Sequence, residues 1–226
     1  WSSDVCSSDL LTPEQIREHL RAVIEETRAL NRVTAHTLQL ARLDASASRL
    51  ETQWESLDEI LAASLSRARR GFPGRQLTLE LAPALPLVRC DPLLIGLLID
   101  NLLDNALRYS PNGSPIRIDA LIRTGHIVLR VMDEGPGIPA SRRGEIFEPF
   151  RRLGTAVDGE ADTAPEPGGR RGFGLGLAVC RAVARVHAFR LWVEDGTPHG
   201  SHFCLEIPIL EQPSWPTEGP DRESVA

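Results

Sequence analysis

A helix predicted over residues 92–108 constrains the fold most, because it carries two asparagines on one face behind a long apolar run. Asp91 suits the N-cap of this helix and Pro92 suits its first turn. Residues four apart lie on the same helical face, so Asn101 and Asn105 project together while the leucines between them face a core. Two adjacent carboxamides can bind a polar ligand or complete the coordination of a hard cation. A pair of solvated asparagines is the alternative.

Two glycine-containing segments follow that helix. Asp133 ends a predicted strand and precedes Gly135 and Gly137, so its carboxylate could accept a hydrogen bond from a ligand amino group while the glycines permit close approach. An ordinary Asp-Gly turn is the alternative. Residues 172–177 contain three glycines and open a predicted helix, whose backbone N–H groups attract phosphate. This segment does not follow a strand of a βαβ unit, so a dinucleotide-binding fold does not fit. It also lacks the Lys-Ser/Thr of a P-loop, so a P-loop fold does not fit either.

Hydrophobic periodicity predicts a chain of mixed helices and strands in two parts. Further helices are predicted over about 13–45, 56–70, 142–147 and 175–186. Strands are predicted over 76–81, 87–89, 116–122, 127–131, 191–193 and 203–207. Residues 46–55 are interpreted as a connector and residues 151–173 as a long mobile loop. The predicted units are a non-native or disordered leader (1–10), a helical arm (11–46), a layered domain (47–210) and a disordered tail (211–226).

The helix at 13–45 is too long and one-sided for a small globular core. Its 4-3-4-3 spacing indicates one arm of a helical hairpin or dimeric bundle. That spacing is set by Ile16, Leu20, Val23, Thr27, Leu30, Thr34, Thr37 and Ala41. His19 and His36 lie on this helix, and neither is followed by the helix-breaking proline expected of a phosphate acceptor. We therefore interpret both as surface or seam histidines.

Composition excludes several classes of protein. The net charge of −6 argues against a nucleic-acid-binding face, which would be basic. Four scattered cysteines favour a reducing compartment. No apolar run is long enough to span a bilayer, and no signal peptide is visible. Because Met132 is the only methionine, we expect the chain to be a fragment of a longer protein.

Four motifs, taken in order, resemble those of sensor histidine kinases of the GHKL superfamily. Residues 101–110 resemble the N box, 133–139 the first glycine box, 146–150 the F box and 172–180 the second glycine box. The resemblance covers about residues 12–210 and looks closest to the osmosensitive, potassium-sensing kinases. It implies an α+β fold, a two-layer Bergerat-type sandwich with a mixed sheet and helices on one face, preceded by the second helix of a dimerisation and phosphotransfer hairpin.

The resemblance implies ATP and Mg²⁺ as cofactors. Asn105 would ligate Mg²⁺, and Asn101 would share the catalytic pocket one turn earlier. Asp133 would read the adenine amino group. Phe147 would either anchor a lid or belong to the core. The other residues implied at the nucleotide are Arg108, Tyr109, Gly135, Gly137, Phe150, Gly172, Gly174, Leu175, Gly176 and Leu177.

The family chemistry would be transfer of the ATP γ-phosphoryl group to a histidine and then to an aspartate of a response regulator. The parent would be a membrane-associated homodimer, joined through the hairpin, and this chain its cytoplasmic part. The phosphoacceptor box would lie upstream of residue 11, so we expect an intact ATP site that cannot phosphorylate itself. His187-Ala188-Phe189 stands where the family usually has His-Gly-Gly, and the last glycine box of the family is reduced here to Gly196 and Gly200-Ser201.

Two alternatives remain. One is a regulatory or dimerisation module that binds nucleotide without kinase activity. The other is an ATPase or serine kinase of the gyrase and chaperone group, in which a glutamate base precedes the metal-binding asparagine by one turn. Asn101 occupies that position here, which argues against hydrolysis.

Overall fold

A computed structural model describes residues 12–45, 50–151 and 174–211. The helices are α1 (Pro13–Ala45), α2 (Leu57–Gly71), α3 (Pro92–Tyr109) and α4 (Gly176–Val186). The strands are β1 (Gln53–Glu55), β2 (Leu77–Leu81), β3 (Val88–Cys90), β4 (Ile116–Arg123), β5 (His126–Asp133), β6 (Arg190–Asp195) and β7 (Ser201–Pro208). The predicted leader, nearly all of the predicted tail and nearly all of the predicted mobile loop lie outside the described residues.

Five strands form a mixed sheet in the order β2-β4-β5-β7-β6. Strand β2 runs parallel to β4, and the remaining pairs are antiparallel. Alternate residues of β5 (Ile127, Leu129 and Val131) are fully buried, whereas Val128 and Arg130 between them are only partly buried. Helices α2, α3 and α4 pack against this sheet. The architecture confirms the predicted two-layer α+β fold.

Two local predictions were wrong. The supposed connector at 46–55 contains β1, which pairs antiparallel with β3 through Trp54 and Arg89. A three-residue strand is too short to show a period, so only its partner reveals it. The helix predicted at 142–147 is instead two short 3₁₀ turns, Ala140–Arg142 and Glu145–Phe147.

Helix α3 forms as its sequence predicts. One carboxylate oxygen of Asp91 accepts hydrogen bonds from the backbone N–H groups of Leu93 (3.0 Å) and Leu94 (3.1 Å), which satisfies donors that the first turn leaves free. The core-facing side chains of this helix are Ile95, Leu98, Ile99, Leu102 and Leu103, each at most 1% exposed. That packing fixes the rotation of α3 and leaves its asparagine face at the edge of the core.

Helix α1 has two faces with different surroundings. Leu43 is buried in the core, and Leu40 packs against it. By contrast, Leu20 is 56% exposed and Leu30 is 64% exposed. The predicted long helix is therefore present, and most of its apolar face is uncovered. None of the helices within the described ranges is long and apolar enough to cross a membrane.

His187 joins the end of α4 to the start of α3. Its Nδ1 lies 2.8 Å from the Val183 carbonyl oxygen, and its Nε2 lies 3.0 Å from the backbone nitrogen of Asp91. A carbonyl can only accept and a backbone N–H can only donate, so the imidazole must carry its proton on Nδ1. Burial lowers the pKa of His187, and the hydrogen bond to Val183 and the charge of Asp91 only partly oppose that shift.

Replacing His187 with alanine is expected to destabilise the fold by about 1–3 kcal/mol, because the Asp91 N–H loses its acceptor. The folded-state pKa of His187 is lowered from 6.5, so the unfolded chain takes up a proton first as the pH falls. The stability that His187 supplies is therefore complete above about pH 6.5 and declines below it. Urea denaturation should show a larger difference between wild type and His187→Ala at pH 8 than at pH 5.5.

The exposed His199 provides the matched control, since His199→Ala should leave the stability unchanged at both pH values. An equal cost of His187→Ala at pH 8 and pH 5.5 would contradict the proposed protonation state.

Candidate functional site

One cavity lies where α3, the end of β5 and the start of α4 meet. It brings together most of the site residues predicted from the sequence, which are far apart in the chain. Those lining it are Asn101, Asn105, Arg108, Tyr109, Asp133, Gly137, Gly174, Leu175, Gly176 and Leu177.

Four predicted residues have other placements. Gly135 does not line the cavity but donates its backbone N–H to the Asp133 carboxylate at 2.8 Å. Phe150 is 69% exposed and also lies outside the cavity wall. Phe147 is 8% exposed and belongs to the core, which is one of its two predicted roles. Gly172 lies outside the described residues.

Asp133 supplies a carboxylate at one end of the cavity, and its residue is only 6% exposed. The backbone N–H groups of Gly135 and Ser201 donate to this carboxylate. Burial raises the pKa of Asp133, and the two N–H donors partly oppose that rise. The carboxylate is thus held in place by backbone and can accept a hydrogen bond from a ligand.

Glycines allow three backbone segments to meet around Asp133. A Cβ on Gly135 would lie 2.8 Å from an Asp133 carboxylate oxygen and 3.0 Å from the Tyr109 carbonyl oxygen. A Cβ on Gly200 would lie 1.9 Å from the Asp133 carbonyl oxygen. Only a residue without a side chain fits at either position. Gly135 and Gly200 therefore allow the backbone to pack closely around Asp133.

Gly135 brings Asp133 beside Tyr109, and Asn101 lies about 12 Å back along α3 from Tyr109, at the other end of the cavity and against the N-terminus of α4. The Asn101 side-chain nitrogen donates to the Leu97 carbonyl oxygen at 2.9 Å. The Asn101 amide oxygen lies 2.9 Å from the point that a Cβ on Gly176 would occupy. Leu175, at the N-cap of α4, offers no side-chain cap to the helix. The first-turn N–H groups of α4 therefore adjoin a carboxamide rather than a capping side chain.

Arg108 adds positive charge to the cavity wall. Its guanidinium donates to the Asp104 carboxylate one helical turn earlier, at 3.2 Å, and its side chain is only 13% exposed. Both residues line the cavity. The ion pair holds the guanidinium along α3, so that its charge is fixed near the asparagines.

These residues fit a nucleotide with a hard cation. An acceptor at one end suits a base amino group, and a glycine-opened helix start at the other end suits phosphate. Among the described residues no cluster of three or more His, Cys, Asp or Glu could hold a metal. A Mg²⁺ ion in this cavity would find the carboxamide oxygens of Asn101 and Asn105, and the phosphate oxygens of a bound nucleotide would supply further ligands.

Some residues of the wall were missed by sequence reasoning. Ser201 lines the cavity and follows Gly200, which the sequence did mark as part of a reduced glycine motif. Val33 and His36 of α1 also line the cavity. No sequence signal pointed to these two, because the packing of α1 on α4 is a tertiary contact.

The family comparison matches the part of the chain that carries this site. Residues 90–211, more than half of the chain, match the family described as histidine kinase-, DNA gyrase B-, and HSP90-like ATPase. The adaptive-response sensory kinase SasA of a Synechococcus strain is 32% identical over 206 residues, which are 90% of this chain and 51% of the relative. The sensor protein KdpD of Clostridium acetobutylicum is 26% identical over 202 residues, which are 89% of this chain and 21% of the relative.

The chain therefore spans about half the length of SasA and about a fifth of KdpD. Among solved structures, the mycobacterial sensor histidine kinase MprB is 29% identical, with a TM-score of 0.56 over 71% of this chain and 97% of that one. ShkA, solved at full length in complex with AMPPNP, is 23% identical and shares the fold with a TM-score of 0.67 over 88% of this chain and 40% of that one.

The matched residues include α3, the end of β5 and the start of α4, the three elements that build the cavity. The mixed sheet and the relatives agree with that match. The chain belongs to the family of histidine kinase-, DNA gyrase B- and HSP90-like ATPases.

Proposed function

We propose that this chain binds ATP with Mg²⁺ in the cavity and serves in transfer of the γ-phosphoryl group to a histidine. One observation carries the proposal. The asparagine face of α3, the Asp133 carboxylate and the N-terminus of α4 surround a single cavity, with an acceptor at one end and helix N–H groups at the other.

The family resemblance suggests a role for each residue, and its position in the cavity supports that role. Asp133 accepts a hydrogen bond from the adenine amino group. Asn105 supplies the oxygen that ligates Mg²⁺, with Asn101 beside it. The N–H groups at the start of α4 and the Arg108 guanidinium hold phosphate oxygens. When bound, Mg²⁺ neutralises phosphate charge, and catalysis of phosphoryl transfer rests mainly on such neutralisation and on positioning.

The chain would work as part of a larger dimer. We propose that α1 is the second helix of a dimerisation hairpin, whose first helix carries the acceptor histidine. Its exposed apolar residues support this, since a helix with an uncovered apolar stripe favours pairing with another helix. These residues are Ile16, Leu20, Val23, Ile24, Leu30 and Leu38. A response-regulator aspartate would then receive the phosphoryl group, and the resemblance favours a membrane-associated parent with this part in the cytoplasm.

A phosphotransfer assay with a separately supplied acceptor hairpin tests the proposal. The chain, Mg²⁺ and γ-labelled ATP should transfer label to the hairpin, in the acid-labile and alkali-stable form expected of phosphohistidine. The chain alone should not label itself. Release of free phosphate without labelled hairpin would favour the ATPase alternative. Nucleotide binding without either product would favour the regulatory module.

A further inference from the structure

The C-terminal part of α1 presents a separate stripe to the ATP-binding domain. Val33, His36, Leu40 and Leu43 follow 3-4-3 spacing, so they share one face of the helix. Leu43 is buried in the domain core and Leu40 packs against it. One turn earlier on the same face, His36 therefore lies over the domain as well. None of these four residues belongs to the exposed apolar set of α1, whose member Leu38 lies on a different face of the same segment.

His36 lies at the asparagine end of the nucleotide cavity. It shares the wall of that cavity with Asn101 and Asp104. The same three residues also line a second cavity between α1, α2 and α3, which Asp133 does not reach. Because the Asn101 amide oxygen abuts the start of α4 at Gly176, this end is the one that suits phosphate.

We propose that α1 contributes His36 to the phosphate end of the nucleotide site, so that a bound triphosphate holds the end of α1 against the domain. This inference rests on the proposed function, since it requires ATP in the cavity. An imidazole N–H donates well to a phosphate oxygen. Because coupling between binding events is reciprocal, a contact that tightens nucleotide binding also tightens the docking of α1 by the same factor.

Calorimetry with Mg²⁺ and AMPPNP tests the contact, with His36→Ala as the variant. Its affinity for AMPPNP should fall about fivefold or more, the lower range of measured couplings between sites. Its affinity for adenosine, measured by competition, should stay within about twofold, because adenosine has no phosphate. His36→Gln keeps an N–H donor and should recover part of the lost affinity.

His19 gives a matched control on the same helix. It is exposed, and its Nδ1 lies 2.7 Å from the Gln15 carbonyl oxygen, far along α1 from the cavity residues. His19→Ala should therefore bind both ligands like wild type. Hydrogen exchange provides a second readout: AMPPNP should slow exchange in residues 33–43 of wild type and of His19→Ala, but much less in His36→Ala.

The outcomes separate the two proposals. Unchanged AMPPNP affinity in His36→Ala overturns the contact while leaving the proposed function standing. Equal losses for AMPPNP and adenosine also overturn it, because they indicate a loosened site rather than a phosphate contact. If wild type binds neither ligand, the proposed function fails and this inference fails with it.

Discussion

Asp133→Asn is expected to keep the fold and lose nucleotide binding by about 10- to 150-fold, the loss of one hydrogen bond to a charged group. The backbone N–H groups of Gly135 and Ser201 both point at this side chain. A carboxamide has one acceptor oxygen and a donor NH₂ group. If the carboxamide oxygen accepts from the backbone N–H groups, its NH₂ group faces the adenine amino group. If the oxygen faces the adenine amino group, the NH₂ group faces a backbone N–H.

Asp133→Ala is a second variant at this position, and it tests folding stability as well as binding. Alanine leaves the two N–H donors without a partner, so it should lose binding and also destabilise the fold by about 1–3 kcal/mol. Denaturation of both variants, beside calorimetry with Mg²⁺ and AMPPNP, distinguishes the two effects. Binding by a folded Asp133→Asn variant at wild-type affinity would show that this carboxylate does not contact the nucleotide.

The raised pKa of Asp133 adds a dependence on pH. The ionised carboxylate is a stronger acceptor for the adenine amino group than the protonated form, so affinity in wild type should weaken as the pH falls through that raised pKa, which lies above 3.8. Because burial makes ionisation of Asp133 unfavourable in the folded state, the free energy of unfolding should decrease as the pH rises from 3.8 through the folded-state pKa. Asp133→Asn has no ionisable group at this position, so its remaining affinity for the nucleotide should not weaken over the same pH range.

Gly200→Ala is expected to cost about 3 kcal/mol or more and to abolish nucleotide binding. Gly200 has a φ of +97°, which is unfavourable for a residue with a side chain. The new Cβ would also lie 1.9 Å from the Asp133 carbonyl oxygen and 2.9 Å from the Cα of Glu134. Backbone must move to relieve these contacts, so the Asp133 carboxylate would be displaced with it.

A substitution at Gly113 introduces the conformational strain without the steric clash. Its φ is +93°, close to that of Gly200, but a Cβ there would meet nothing within 4 Å. Gly113→Ala should therefore cost only about 1–2 kcal/mol and leave nucleotide binding intact. Denaturation and AMPPNP calorimetry on both variants measure the difference. Equal effects of the two substitutions would mean that the packing of Gly200 on Asp133 is unimportant.

The parts of the site that the sequence predicted are those with a local pattern. Asn101 and Asn105 are four apart on a helix whose cap is visible at Asp91, so their common face follows from helical geometry. Asp133 ends an alternating strand, and its surrounding glycines mark close backbone contacts. The fold could be predicted because its long strands and helices have clear periods.

What the sequence did not predict depends on contacts between distant residues. Strand β1 has three residues, and its pairing with Val88–Cys90 leaves no period to read. His36 resembles any histidine on an amphipathic helix until α1 is packed over the cavity. Ser201 acts through its backbone N–H, which any residue other than proline would supply. Such roles are properties of the tertiary arrangement rather than of residue type.

The most direct measurement is calorimetric titration of AMPPNP with and without Mg²⁺, on wild type and on Asn105→Ala. Wild type is expected to bind AMPPNP, and Mg²⁺ should strengthen the binding. Asn105→Ala should lose that dependence on Mg²⁺ while remaining folded, because the carboxamide oxygen that ligates the ion is removed. A folded wild-type chain that binds no nucleotide in the presence of Mg²⁺ would contradict the account.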